Sequence, residues 1–323
     1  MISLSYTVTA LLQDHLKIIE TLRRSVLLTP ISPYRELKLI WQASLEYIYG
    51  TLSLSGVKVT KKHIIEILAS PKKRPSPDES AIITTKRTLD FIRHEWIGNP
   101  KTITSASVEE LALLLFPNDR AKVFRALETK NRDIQQILSY LDVKPEHPVV
   151  MAAIIHYAFV ADPLLPWAGG RLGRALCSLV LAKYGLNLRG MIAPESVFAE
   201  SPETYQRSLT TATRDATITS WLEYYTKILI TAMERTENEV KKATSGVSGR
   251  ELSQLSERLF SLNDRQSKIL STLENPTTTI TNRVVQKRFK ISQITASRDL
   301  TKLASLGLLY PHGRGRSVYY TRV

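Results

Sequence analysis

The sequence predicts a mainly α-helical protein: a helical bundle followed by a small domain of three helices and a β-hairpin. Three observations carry that reading. Two apolar segments, Val149–Ala161 and Leu172–Leu181, flank a short loop holding two prolines, a tryptophan and a Gly-Gly pair. Each is too short for the ~20 residues that span a bilayer, and a helix apolar on nearly every side is a core helix covered by others. The first hundred residues place apolar side chains at helical spacing between proline breaks. The last sixty run helix, helix, turn, helix and hairpin, the order of a winged helix-turn-helix.

The 323 residues suffice for two domains with real cores. A hydrophobic content of 43% and a charged content of 23% are those of a globular chain. The net charge of +14 and pI near 9.8 point to a polyanionic partner, nucleic acid or an anionic membrane surface. The single cysteine, Cys177, has no internal disulfide partner and falls in the second core segment as a small buried hydrophobe. Met1–Leu12 contains no basic residue and does not read as a secretory signal. No segment reads as membrane-spanning, and a reducing, cytoplasmic location is expected.

Leu16–Leu28 is the first expected helix, with Leu16, Ile18, Ile19, Leu22 and Val26 near one side and Pro30 and Pro33 ending it. Glu36–Leu54 follows, with Leu37, Ile40, Trp41, Leu45 and Ile48 as its buried side. Thr60 caps Lys61–Ala69, whose Ile64, Ile65 and Leu68 face one way. Pro71–Ser80 is a charged, proline-rich loop; its Lys72-Lys73-Arg74 run is a solvated face first and a phosphate contact second. Helix returns over Ala81–Trp96, with Leu89, Ile92 and Trp96 inward. Ser107 opens another helix with Glu109 and Glu110 in its first turn, where the dipole favours them. Lys130–Leu141 leads into the central pair.

The start of the second core helix has a physical use. Its backbone N–H groups lack helical partners and sit at the positive end of the dipole. Gly169 and Gly170 let a phosphate approach, and Arg171 and Arg174 add charge on the first turn. By spacing alone a plain turn into a helix explains the same residues.

The stretch from His147 to Leu186 resembles the Fic (Fido) family of AMP-transferring proteins. Their pattern is H-x-x-F on one helix, then I-H-P-F-x-(D/E)-G-N-G-R-x-x-R running into the next. His156 and Phe159 match the first part, and Gly170, Arg171 and Arg174 match the end. Pro163 falls where the family carries its catalytic histidine, Trp167 falls on the magnesium-binding acidic position, and Ala168-Gly169 replaces Gly-Asn. Proline accepts no proton, and a positioned general base typically contributes ~100- to 10,000-fold. Tryptophan offers magnesium no oxygen. The resemblance therefore implies the Fic scaffold without its standard chemistry, with no catalytic residue and no metal site assigned. Two nearby residues are candidate substitute bases. His156 lies about 10 Å of helix before the missing histidine's slot and reads as a core histidine. Asp162 adjoins the slot.

Earlier in the chain, Thr51-Leu52-Ser53-Leu54-Ser55-Gly56 is similar to the family's inhibitory pattern (S/T)-x-x-x-E-(G/N), with Ser55 where the glutamate would pair with an active-site arginine. Thr51, Ser55 and Gly56 thus form a degenerate inhibitory motif, and simple helical packing accounts for the segment. Trp221, Leu222, Tyr224 and Tyr225 resemble the family's W-(I/L)-x-(F/Y)-(F/Y) helix and read as core packing. The resemblance covers about residues 34 to 235. It suggests residues 1–100 as an N-terminal helical region, 101–235 as the Fic-like core, 236–260 as a linker helix interrupted near Ser245–Gly249, and 261–323 as the winged helix-turn-helix.

In that last domain a helix capped near Asn263 covers Asp264–Leu273, and Ile280 is a short strand. A second helix runs Asn282–Phe289, Lys290-Ile291 turns, and Ser292 caps a third helix that buries Ile294, Leu300, Leu303 and Leu306. Strands Leu308–Tyr310 and Val318–Thr321 flank His312-Gly313-Arg314-Gly315-Arg316. The segment resembles winged helices of bacterial regulators, whose recognition helix reads S-x-x-T-A-x-R-D-L-x-x-L before a G-x-G-R wing. Ser292, Thr295, Ala296, Arg298, Asp299, Leu300, Leu303, Gly307, Gly313, Gly315 and Arg316 match. From residue 261 on, eleven Lys/Arg face three Asp/Glu, a surplus of +8 that is more than half the chain's excess. Gln293, Ser297, Arg298 and Thr301 lie off the apolar face, placed for base edges. Arg283, Lys287, Arg288, Lys290, Arg314 and Arg316 are placed for phosphates.

Three functions fit. The first is a double-stranded-DNA-binding regulator or adaptor on a degenerate Fic body, with ATP as the candidate nucleotide ligand. The second is a nucleotidyltransferase using non-standard residues. The third is a protein-interaction scaffold. The first reconciles the basic end domain with the lost catalytic residues.

Overall fold

The computed structural model describes residues 4–97, 101–143, 147–161, 165–168, 170–215, 217–244, 262–273, 279–305, 309–312 and 318–322. The chain divides into two compact units, residues 1–244 and 245–323. Pro163, Asp162, Gly169, Leu306, Arg314, Arg316 and the expected linker residues 245–260 lie outside the described residues.

The first unit is wholly helical among its described residues. Its centre is α8 (Pro148–Ala161) and α9 (Arg171–Lys183), the most extensively packed pair of helices. Ten of the eleven residues from Val149 to Phe159 in α8, all save Met151, are buried, which is why that helix has no polar face. Gly173 permits the close approach: a Cβ there would lie 2.7 Å from Val160 Cγ2 and 3.0 Å from Phe159 Cβ. Helices α4 (Pro77–Trp96), α5 (Ser105–Leu115) and α2 (Pro33–Leu54) cover α9; α7 (Asn131–Val143), α11 (Pro202–Arg214) and α12 (Thr219–Thr244) cover α8. Helix α1 (Ala10–Leu28) packs along α12, and α10 (Pro194–Glu200) packs on α2. Helix α3 (Lys61–Ala69) sits against α2 and α4, and α6 (Arg120–Thr129), which the periodicity did not reveal, lies against α5 and α7.

Local caps set several boundaries. Thr9 accepts from Leu12 N–H at 3.1 Å, so α1 starts six residues before the apolar run suggests. Ser76 and Glu79 form a reciprocal capping box, so α4 opens at Pro77 inside the expected loop. Lys72 of that loop is paired with Glu79 at 2.7 Å. Thr60 caps α3 through His63 N–H at 3.2 Å.

Some expected core residues face solvent instead. Trp41 is 40%, Ile65 43% and Ile18 43% exposed. Helix α3 turns Ile64 and Ile67 inward, and α1 buries Leu12, Ile19 and Val26, a stripe that leaves Ile18 outside. Residues 236–244, expected in a linker, continue α12 and bury Thr236 and Val240 in the first unit. Among the described residues no helix is long and apolar enough to cross a membrane.

In the second unit, α13 (Asp264–Ser271), α14 (Asn282–Phe289) and α15 (Gln293–Ser305) accompany β1 (Ile280–Thr281), β2 (Leu309–His312) and β3 (Tyr319–Arg322). The sheet order is β1-β3-β2 and both pairings are antiparallel, with Ile280 opposite Tyr320 and His312 opposite Tyr319. Ile269, Leu273, Val285, Ala296, Leu300, Leu303 and Leu309 form its core.

Candidate functional site

Gly170 begins α9 in the left-handed region, φ +74°, where a Cβ would sit 2.9 Å from Arg174 Nη1. The two arginines of the next turn point into the bundle. Arg171 Nη2 donates to Thr84 Oγ1 and Thr85 Oγ1 at 3.0 Å each and to Ala81 O at 3.3 Å. Its guanidinium lies 4.9 Å from the Phe116 ring centroid. Arg174 Nη2 donates to Ser55 Oγ at 2.6 Å and to Thr51 O at 3.1 Å. Arg171 therefore ties α9 to α4, and Arg174 ties it to the end of α2. Both are buried, Arg174 to 1% exposure. Burial first, then the Arg174 charge, lower the Arg171 pKa to about 10, so it remains charged at neutral pH.

Three of the sequence-selected residues thus converge, Thr51, Ser55 and Arg174, while Arg171 turns to α4. Gly56 stands apart. It is exposed at φ +78° and, as the left-handed residue after α2, donates its N–H to Ser53 O at 3.0 Å. Trp167 is 45% exposed, with its ring edge-on to Phe116 at 4.8 Å and Lys122 Nζ 5.8 Å from its centroid. Its indole gives a hard cation no ligand. Among the described residues, no three His, Cys, Asp or Glu side chains gather where an ion could be held.

His156 is fully buried, and its Nε2 meets Tyr205 OH at 2.8 Å. Phe198, Trp221 and Tyr225 surround the ring at 5.2 to 5.9 Å. Burial, with Arg174 adding to it, holds its pKa well below the usual histidine value, so the ring is neutral. Trp221 Nε1 donates to Ala153 O at 2.8 Å, which binds α12 to α8. Cys177 is buried with Sγ 3.0 Å from Tyr225 OH, and burial pushes its thiol up out of the reactive range.

Nothing in the amino-acid pattern singles out Glu195. As the residue after Pro194 it looks like an ordinary first-turn acid. It is 2% exposed, Oε1 accepts from Ser178 Oγ at 3.4 Å, and Oε2 has no protein partner. Burial raises its pKa to about 7 despite the nearby Arg174 charge. Gly50 makes this depth possible: a Cβ there would lie 2.4 Å from the Glu195 carbonyl carbon.

The second candidate surface belongs to α14 and α15. Thr281 caps α14 through Val284 N–H at 3.3 Å, and Ser292 caps α15 through Thr295 N–H at 3.2 Å. Lys290 makes the turn between them at φ +50°. Asn282 Nδ2 donates to Gln293 O at 3.2 Å and so joins the two helices. Arg283, Lys287, Arg288 and Lys290 are exposed, as are Gln293, Ser297, Arg298 and Thr301. Ala296, Asp299, Leu300 and Leu303 form the buried face of α15. Asp299 accepts from Arg265 Nε at 2.6 Å and Gln266 Nε2 at 2.8 Å, which fixes α13 against α15.

One expectation for α15 is corrected here. Ile294 is 66% exposed, not buried. It precedes Ala296 by two residues, about 200° of helix rotation, and so stands opposite the core.

Residues 265–321 match the DeoR-like helix-turn-helix domain family. The chain is similar in structure to a Fic family protein from Desulfovibrio desulfuricans G20, with 16% identity and a TM-score of 0.57 over 99% of this chain and 98% of that one. It is also similar to a Fic-domain-containing signalling protein from Bacteroides thetaiotaomicron VPI-5482, with 16% identity and a TM-score of 0.53 over 72% of this chain and 97% of that one. No curated protein matches it.

Proposed function

We propose, from a fold like that of Fic family proteins with a helix-turn-helix domain at its end, a cytoplasmic, DNA-binding transcriptional regulator or adaptor whose Fic-type body does not transfer AMP. The observation that carries the reading is the two-faced recognition helix α15. Its buried face is Ala296, Asp299, Leu300 and Leu303; its opposite face offers Ser297, Arg298 and Thr301 to solvent. Beside it, α14 presents Arg283, Lys287 and Arg288 as phosphate contacts. The helix enters the major groove of double-stranded DNA with its first turns against base edges.

The test is a titration of labelled mixed-sequence duplex with the full chain at two salt concentrations. Six phosphate contacts give a log–log salt slope near roughly −5. Replacing both Lys287 and Arg288 by alanine weakens binding across all sequences and lowers the slope by about 2. Absence of binding at low salt overturns the reading, and the end domain then serves contacts with protein.

A second reading concerns the body. Arg171 is a buried cation beside Gly170 that donates to the Thr84 and Thr85 hydroxyls and the Ala81 carbonyl, and its Nε has no protein partner. This supports an anion site for a phosphate or ATP at Gly170, Arg171 and Arg174, entered by displacing Ser55. ATP, with or without magnesium, or inorganic phosphate then raises the melting temperature and changes Trp167 fluorescence. Unchanged melting and fluorescence exclude the anion site.

A further inference from the structure

The exposed face of α15 contains an apolar side chain that phosphate contacts and polar base contacts do not explain. Ile294 is 66% exposed in the first turn of the helix, among the largest exposures of any bulky apolar residue described. It shares its face with Ser297, Arg298 and Thr301, at intervals of three, four and seven residues, the spacing of one helical stripe. A single exposed isoleucine is ordinary on a protein surface. This one sits where the first turn of a recognition helix meets base edges, one helical turn before an arginine.

The major groove offers one prominent apolar group, the C5-methyl of thymine, and guanine offers O6 and N7 to an arginine. Side chains at positions i and i+4 lie about 5–6 Å apart on a helix. Base pairs stack every ~3.4 Å. Ile294 and Arg298 therefore reach positions one or two base pairs apart. Resting on the DNA-binding reading above, we propose that Ile294 is a specificity-determining residue that packs on a thymine methyl group one or two base pairs from a guanine held by Arg298. The partner is then thymine-bearing duplex DNA. An RNA duplex, with uracil and a narrow, deep major groove, gives the side chain nothing to pack on.

The experiment uses the full chain. A preferred duplex is selected from a random pool, and each of its thymines is replaced in turn by deoxyuridine, which removes only the methyl group. At one position the replacement weakens wild-type binding about three- to fivefold, the worth of one buried methyl. The same replacement leaves I294A binding unchanged, while I294V keeps the sensitivity. Because Ile294 is outside the core, I294A retains the wild-type salt slope on mixed-sequence duplex. If a preferred site is recovered but no deoxyuridine position weakens wild-type binding, or I294A loses as much as wild type, the inference is overturned and DNA binding stands. A chain that binds duplex with no sequence preference also overturns it. A chain that binds no duplex at all overturns the DNA reading itself, and this inference with it.

Discussion

Ser55 Oγ lies 2.6 Å from Arg174 Nη2, joining the last turn of α2 to the first turn of α9 across 119 residues of chain. The Ser55 hydroxyl is a neutral partner for the guanidinium. Arg174 Nη2 is held by a hydroxyl and the Thr51 carbonyl, both neutral oxygens.

Removing that hydroxyl has a measurable cost. A hydrogen bond to a charged group contributes about 1.5–3 kcal/mol. Ser55→Ala therefore lowers unfolding stability by about 1.5–3 kcal/mol in a urea titration. Arg174→Ala lowers it further, by about 3 kcal/mol or more, because it also opens a cavity in the bundle. Equal stability of Ser55→Ala and wild type would show that the 2.6 Å contact contributes nothing.

Glu195 makes stability depend on pH. Its folded pKa, raised to about 7 by burial, lies above the ~4.3 of an unfolded glutamate. The folded protein binds the proton more tightly, so this contribution is complete below about pH 4 and is lost as pH rises through 7. The groups facing it are Tyr47 from α2 and Arg174, Cys177 and Ser178 from α9. Glu195→Gln cannot ionise. Relative to wild type, the variant gains about 3 kcal/mol between pH 4 and pH 8. Taking the difference cancels His156, whose depressed pKa destabilises the fold on the acid side in both proteins. Parallel stability curves for the two proteins would contradict the assignment.

Asp299 decides how the end domain holds its recognition helix. Burial alone would raise its pKa, yet the hydrogen bonds from Arg265 and Gln266 prevail and lower it. Its stabilisation is present above the unfolded value of ~3.9 and is lost as pH falls through the folded value. Asp299→Ala removes both bonds to α13 and costs about 2–4 kcal/mol. Amide hydrogen exchange in α13 and α15 quickens, while α8 and α9 keep their protection. Unchanged exchange in α15 would mean that Asp299 does not anchor it.

What could be read in the sequence was local. The continuous apolar run of α8, the Thr60, Asn263 and Ser292 caps, and the Lys290 turn each depend on neighbours a few residues away. The order of helices and hairpin in the end domain followed from the same signals, and so did the exposed positions of Arg298 and Thr301.

The sequence by itself therefore determined most of the helices, though not α6 or the starts of α1 and α4, and that α8 and α9 lie at the centre. Only the tertiary structure decided which way each helix is turned and what its buried polar groups meet. The rotation of α15 is set by Asp299 reaching Arg265 and Gln266 on another helix, and that rotation turns Ile294 outward. Glu195 is buried because Gly50, 145 residues earlier, leaves room for α10 against α2. Such contacts join residues far apart in the chain, and hydrophobic periodicity carries no record of the distance between two helices or of the rotation of either about its axis.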